Sequence, residues 1–284
     1  MQSLPADEVH ALVRAALAED VGSGDATTLA TVPARAVVTA NMVTRGPLVL
    51  AGILLAVDAF RQCSPKVRMV FIQFDGRKFP AGTRLLTVRG PARAILTAER
   101  VALNFVQRLS GIATLTAQFV AAVRGTRARI LDTRKTTPGL RRLEKYAVAC
   151  GGGTNHRFGL HDMVLIKDNH LAALRGARPN SIAAAVARAR RKFPDLLVEV
   201  EADALAQVRQ AVAAKADMIL LDNMTTSNLR KAVKLVGNRA ITEASGGVNL
   251  NTVRAIAETG VDHISVGALT HSARAVDIAL DFEH

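Results

Sequence analysis

Beyond residue 125 the chain keeps repeating one pattern: a short apolar run, a loop, then an amphipathic stretch. The apolar runs are ARIL (128–131), MVLI (163–166), LLVEV (196–200), DMILL (217–221), RAIT (239–242) and VDHISV (261–266). Helical patterns separate most of them, at LRRLEKYAVAC, SIAAAVARARRKF, DALAQVRQAVAA, TSNLRKAVKLV and NLNTVRAIAETG. Apolar runs of this length suit strands buried on both faces, and the helices between them supply the crossovers that parallel strands need. Six strands are visible where a closed (β/α)₈ barrel has eight. The rhythm predicts an incomplete or modified barrel, with a doubly wound sheet as the alternative.

The first part of the chain has a different rhythm. PADEVHALVRAALAED predicts an amphipathic helix with an acidic first turn. ARAVVTANMVT and RLLTVRGPA predict strands, with a helix between them at AGILLAVDAFRQC. A long helical pattern follows over 94–123, with Ala102, Phe105, Leu109, Ile112, Thr116, Phe119 and Val123 on one face and Arg100, Asn104 and Arg108 on another. Ser110-Gly111 is expected to break this helix, and a domain boundary is expected there.

Composition narrows the classes of function. With 49% hydrophobic residues in 284, the chain can bury a large core and is not disordered. No apolar stretch reaches the roughly 18 residues of a membrane span. MQSLPADEVHALVRAALAED lacks the basic start and apolar run of a secretory signal. Cys63 and Cys150 form no CxxC, so neither a disulfide nor a zinc site is expected, and the cytosol is the expected compartment. The net charge of +13 suits nucleic acid or a polyanionic small substrate. Aromatic residues at 4% leave few platforms for stacking bases, and the cluster RARRK (188–192) falls at a helix end, where cations suit the helix dipole.

The strand ends are where a barrel enzyme keeps its chemistry. Here they read Asp132-Thr133-Arg134-Lys135, Lys167-Asp168-Asn169-His170, Glu201, Asp222-Asn223, Glu243-Ala244-Ser245-Gly246-Gly247 and Gly267-Ala268. Glu199 and Glu201 lie two apart and so share a face. On the barrel interior they would lie together and need cations such as Lys135 and Lys167. The small turns ASGGV and SVGAL precede helical patterns on the last two strands, and exposed N–H groups at such helix starts bind anions. In GGGTNHRFGLHD (151–162), His156 and Arg157 join the same mouth. Arginine forks suit carboxylates, lysines and backbone N–H groups suit phosphates, and Glu201 with Asp222 suits sugar hydroxyls or Mg²⁺. The seven histidines show no HxH or HxxxH spacing, which argues against a transition-metal site. The combination predicts a site for a sugar phosphate and a small carboxylic acid.

LTAERVALNFVQRLSGIAT, DTRKTTPGLRRLEKYAVACGGGTNHRFGLHDMVLIKDNH, VEVEADAL, ILLDNM, EASGGV and GVDHISVGALTHS together resemble the quinolinate phosphoribosyltransferase family, in order, from about residue 7 to 282. The resemblance implies an α/β fold: an N-terminal α/β sandwich domain over 1–110 and an open seven-stranded α/β barrel over 111–284, with the C-terminal tail able to pack back on the first. It implies transfer of phosphoribosyl from phosphoribosyl pyrophosphate to quinolinate, yielding nicotinate mononucleotide, pyrophosphate and CO₂ in NAD synthesis. It implies a cytoplasmic homodimer or assembly of dimers, dependent on Mg²⁺, without nucleic-acid or membrane partners. Lys135, Lys167, Glu201 and Asp222 correspond to catalytic positions, with Glu201 and Asp222 holding Mg²⁺ directly or through water. Thr133, Arg134, His156 and Arg157 correspond to substrate-binding positions, and Arg100 to an arginine lent by the partner subunit. Ser245, Gly246, Gly247, Gly267, Ala268 and Leu269 correspond to the 5′-phosphate loops. Three other readings stand beside this one: a relative of the same fold that uses another base or acts beside a molybdate-transport system, a Schiff-base aldolase, from the strand-end lysines, and a basic nucleic-acid-binding protein.

Overall fold

The computed structural model describes residues 4–283; Met1–Ser3 and His284, the outermost residues of the two expected domains, lie outside the described residues. The chain forms two compact units, each discontinuous in sequence. The first gathers residues 1–117, 137–152 and 272–284; the second gathers 118–136 and 153–271.

The first unit opens with α1 (Ala6–Val21), whose Val9, Val13 and Leu17 recur every four residues and are buried. After α2 (Ala26–Thr31) come β1 (Val37–Thr44), β2 (Leu48–Val49), α3 (Ile53–Cys63), β3 (Arg68–Ile72), β4 (Lys78–Phe79) and β5 (Arg84–Pro91). β1, β3 and β5 belong to a four-stranded antiparallel sheet in the order β12-β1-β5-β3, whose remaining member is the last strand, β12 (Ile278–Phe282). β2 and β4 form a separate ribbon. The N-terminus of α3 is capped from a distance: Asp75 accepts the N–H groups of Gly52 (2.8 Å) and Ile53 (3.2 Å) and the hydroxyl of Tyr146 (2.8 Å). Burial raises the pKa of Asp75, against those hydrogen bonds.

The long helix α4 (Ala92–Ala122) runs without interruption through Ser110-Gly111. The expected break is absent because both residues serve packing. Ser110 Oγ accepts the N–H of Ala51 and donates to its carbonyl. A Cβ on Gly111 would come within 2.1 Å of the Arg274 carbonyl oxygen, so glycine here admits a second backbone. Of the expected buried face, Phe105 is only half-buried. In α5 (Arg141–Cys150), Glu144 is fully buried and accepts from Arg108 (3.0 Å) and from the N–H and hydroxyl of Thr137.

The second unit holds six parallel strands: β6 (Arg129–Leu131), β7 (Val164–Ile166), β8 (Val198–Ala202), β9 (Met218–Asp222), β10 (Ile241–Ser245) and β11 (His263–Ser265). They pair in the order β6-β11-β10-β9-β8-β7. The crossovers include α6 (Asp168–Ala172), α7 (Ser181–Lys192), α8 (Leu205–Ala213), α9 (Thr226–Val236) and α10 (Val253–Ala257), and α11 (Ala268–His271) follows β11. A seventh strand position exists but is one residue long: Thr154 bridges Leu131 in parallel, its N–H donating to Ile130 and its carbonyl accepting from Asp132. Between Thr154 and β7 the regular ladder stops, and Arg157 Nη1 reaches the Met163 carbonyl at 3.1 Å. The unit is an open α/β barrel with its gap at that point. Three of these strands, β6, β7 and β11, are only three residues long.

Candidate active site

A cavity of about 750 Å³ opens at the C-terminal ends of the barrel strands. Thr133, Arg134 and Lys135 enter it from the end of β6. The loop is stiffened by its backbone: Thr270 Oγ1 donates to the Lys135 carbonyl (2.7 Å), and Lys135 N–H donates to Thr133 Oγ1 (3.0 Å). His156 and Arg157 enter beside them, just past the single-residue strand at Thr154. Buried Asp132 positions this segment by accepting from the His156 N–H (2.8 Å) and Asn155 Nδ2 (2.7 Å).

The charges fall into sectors. Arg134 and Arg157 share the β6 side. Burial, then the neighbouring charge of Arg134, lowers the pKa of Arg157. Arg134 Nε is buried with no hydrogen-bond partner among the described residues. At the ends of β7 and β8, Lys167 Nζ and Glu201 Oε2 are 2.5 Å apart. Asp222, on the next strand, has its pKa raised by burial and by the charge of Glu201, against a hydrogen bond from Asn223 and the charges of Lys167 and Lys135. Two like charges at adjacent strand ends, both facing one cavity, form a donor set that a hard divalent cation suits.

The third sector is the small-residue side, where Ser245, Gly246, Gly247, Gly267 and Ala268 all line the cavity. Gly246 and Gly247 have φ of 95° and 62°, a backbone that side chains rarely adopt. A Cβ on Gly267 would approach Lys135 Cδ and His271 Nε2 at 3.2 Å. The expected helix over 249–260 shrinks to the five residues of α10, which leaves loop backbone rather than a helix start after Gly246 and Gly247.

Two expected residues stand apart. Leu269 is fully buried and does not line the cavity, and Arg100 is exposed on α4 in the first unit. Glu199 and Glu201 do not act as a pair. Glu201 faces Lys167, whereas fully buried Glu199 accepts from His156 Nε2 (3.1 Å) beneath the mouth. Glu243 lies 3.4 Å from the same nitrogen and accepts from Ser265 Oγ. Burial lowers the His156 pKa, but the two carboxylates outweigh it and push it up to about 10. The Arg157 N–H, donating to Nδ1 at 2.7 Å, opposes a second ring proton. The ligand atoms of His156, Glu199 and Glu243 lie within 4.8 Å of one another, a spacing that suits the present ion pair and could also hold a cation. Glu199 and Glu243 lie within β8 and β10 and His156 in the loop after Thr154, so no sequence spacing links them. Glu243 and Asn223, which the sequence placed among the strand-end residues without a role, line the cavity, and so does His271, which the sequence did not single out.

Sequence profiles of two domains cover nearly the whole chain. That of the quinolinate phosphoribosyl transferase N-terminal domain matches residues 25–110, and that of the C-terminal domain matches residues 112–281. The chain belongs to the quinolinate phosphoribosyltransferase family. Its family relatives include the carboxylating nicotinate-nucleotide pyrophosphorylase of Mycobacterium leprae, 48% identical over 282 residues that cover 97% of each chain. Among solved structures, the nicotinate-nucleotide pyrophosphorylase of Francisella tularensis superposes with a TM-score of 0.93 at 41% identity, covering 99% of this chain and 98% of that one. NadC of Streptococcus pyogenes gives a TM-score of 0.93 at 38% identity, with full coverage of both chains.

Proposed function

We propose that phosphoribosyl transfer takes place in the barrel cavity, with each sector binding one part of the two substrates. The chain is a decarboxylating pentosyltransferase of NAD synthesis, joining phosphoribosyl pyrophosphate to quinolinate and releasing pyrophosphate and CO₂. The observation that carries the assignment of sectors is the Arg134–Arg157 pair. Two guanidinium groups repel each other there, and one has a buried, unpaired donor. A buried unpaired donor costs about 1–3 kcal/mol. A ligand with two adjacent carboxylates relieves both costs, so quinolinate belongs on the β6 side, with His156 beside it.

The ribose then lies over Glu201 and Asp222, and its 5′-phosphate lies on the Ser245–Gly247 and Gly267–Ala268 backbone. Pyrophosphate leaves C1 of the ribose, and the two carboxylates stabilise the oxocarbenium character that develops there. Lys135 and Lys167 stabilise the departing anion. At an effective dielectric of about 20, two unit charges about 4 Å apart interact by roughly 4 kcal/mol, so a few such contacts that tighten in the transition state are enough to matter. Glu201 and Asp222 are the residues that would hold Mg²⁺, which when bound neutralises pyrophosphate charge. The quinolinate nitrogen attacks C1, and the resulting cationic ring accepts the electron pair when the adjacent C–CO₂ bond breaks. A proton then replaces CO₂ on that carbon. Positioning does most of this work.

The active species proposed is a homodimer in the cytosol, with Arg100 entering the partner's cavity. Among the described residues no helix is long and apolar enough to cross a membrane. The test is an assay of the purified protein with phosphoribosyl pyrophosphate, Mg²⁺ and either quinolinate or nicotinate. Nicotinate mononucleotide and CO₂ are expected with quinolinate alone, and loss of product on chelation by EDTA. Equal use of nicotinate would remove the dicarboxylate assignment of Arg134 and Arg157.

A further inference from the structure

We infer that Asn223 is a positioning residue that locks the Asp222 carboxylate to the Gly246-Gly247 loop, fixing the distance between the two ends of the phosphoribosyl substrate. The inference rests on the proposed roles of Asp222 and of that loop. Asn223 follows Asp222 at the end of β9 and lines the cavity. Its backbone is left-handed, with φ of 52°, a conformation that asparagine tolerates better than most residues. That turn lets one residue make three contacts. Its N–H donates to the Ser245 carbonyl at 2.9 Å, continuing the β9–β10 pairing past its last register pair, Ser245 with Asp222. Its Nδ2 donates to Asp222 Oδ2 at 2.7 Å. Its Oδ1 occupies the space where any side chain at position 246 would begin, since a Cβ there would be 2.1 Å away.

Asn223 therefore orients the Asp222 carboxylate with one end of its amide and packs against the glycine loop with the other. Both contacts lie on the wall of the cavity, where a bound substrate would exclude water and strengthen them. Groups that orient a ligand from behind commonly change affinity or activity by about 10- to 100-fold when removed.

The deciding variant is Asn223→Gly, because glycine adopts the same φ without strain and only the side chain is lost. Asn223→Asp keeps the shape but sets a second carboxylate beside Asp222. In the Gly variant we expect the apparent affinities for Mg²⁺ and phosphoribosyl pyrophosphate to fall about 10- to 100-fold, and in the Asp variant we expect that for the anionic phosphoribosyl pyrophosphate to fall likewise. Quinolinate affinity should stay within about twofold, because that ligand is assigned to the other sector. A Gly variant that is folded by circular dichroism and has unchanged affinities would overturn the inference. So would equal losses for both substrates, which would mark a general loosening of the barrel mouth. A double-mutant cycle with Asp222→Ala, read out as phosphoribosyl pyrophosphate binding, should show the second substitution adding little to the first; full multiplicative losses would show that Asn223 does not act through Asp222. If Asp222→Ala alone left binding and turnover unchanged, the failure would lie with the site assignment itself.

Discussion

Lys135, Lys167 and Glu201, the side chains proposed for catalysis, are held with little contribution to stability. The Lys167–Glu201 contact is short, but the lysine side chain is 45% exposed. Solvent-screened pairs of this kind contribute about 0–1 kcal/mol. The Lys135 side chain is exposed, while its backbone is pinned by Thr270 and Thr133. Replacing Lys135 or Glu201 with alanine is therefore expected to lower turnover at least about 100-fold while leaving the thermal midpoint nearly unchanged. Steady-state rates and calorimetry on the same preparations check both halves of that expectation. Near-normal turnover in either variant would remove that residue from the catalytic set.

Elements of the first unit are fixed by single contacts that can be tested individually. Asp25 caps α2 by accepting the Thr28 N–H at 3.0 Å, and it also accepts from Thr97 Oγ1. Hydrogen bonding from Thr28, side chain first and backbone second, holds its carboxyl below the usual range. Stability from such a depressed acid is fully present above its unfolded pKa, about 3.9, and is lost as pH falls through the folded value. Asp25→Ala should cost about 1 kcal/mol near pH 7, and the difference from wild type should shrink at pH 3. Urea titrations at the two pH values measure it, and an equal gap at both would show that the ionised carboxylate is not the source. α4 offers a test of opposite intuition. By helix propensity alone, Gly111→Ala should gain roughly 1 kcal/mol. The contact at 2.1 Å with the Arg274 carbonyl means that the backbone must move instead, and a net loss of about 1–3 kcal/mol is expected. A raised melting temperature would contradict the packing argument.

Across the molecule, the charge of +13 has a structural use outside the cavity at the barrel mouth. A second cavity in the barrel unit is lined by Arg190, Arg209, Lys215 and Arg239. Arg190 donates to the Lys215 carbonyl (2.6 Å) and to Asp217 (3.0 Å). Arg239 donates to the Val236 carbonyl at 3.0 Å and to that of Leu235, the last carbonyls of α9. Helix C-termini carry partial negative charge and unpaired carbonyls, and cations suit both. Arg239→Ala should lower stability by up to about 1 kcal/mol and leave turnover unchanged, as paired melting and rate measurements would show.

The sequence by itself determined the rhythm of the barrel and many of the residues that line its mouth. The apolar runs at 217–221 and 261–266 and the periodic helix at 226–236 reappear as β9, β11 and α9, because burial of one face or of a whole strand is written in residue spacing. Arg134, Lys167, Glu201 and Asp222 were legible as lining residues because a barrel gathers the residues at and just past its strand ends into one mouth. Only the tertiary structure decided what depends on contacts between distant segments. The seventh strand position is a single bridge at Thr154, too short to carry any periodicity. Gly111 reads as a helix breaker until the Arg274 backbone is seen against it. Residues 137–152 and 272–284 join the first unit through pairings such as β12 with β1. Glu199 parts from Glu201 because His156, 43 residues away, is waiting beneath the mouth. Local spacing encodes which face is buried, and the partner on the far side of that face is chosen only when the chain closes on itself.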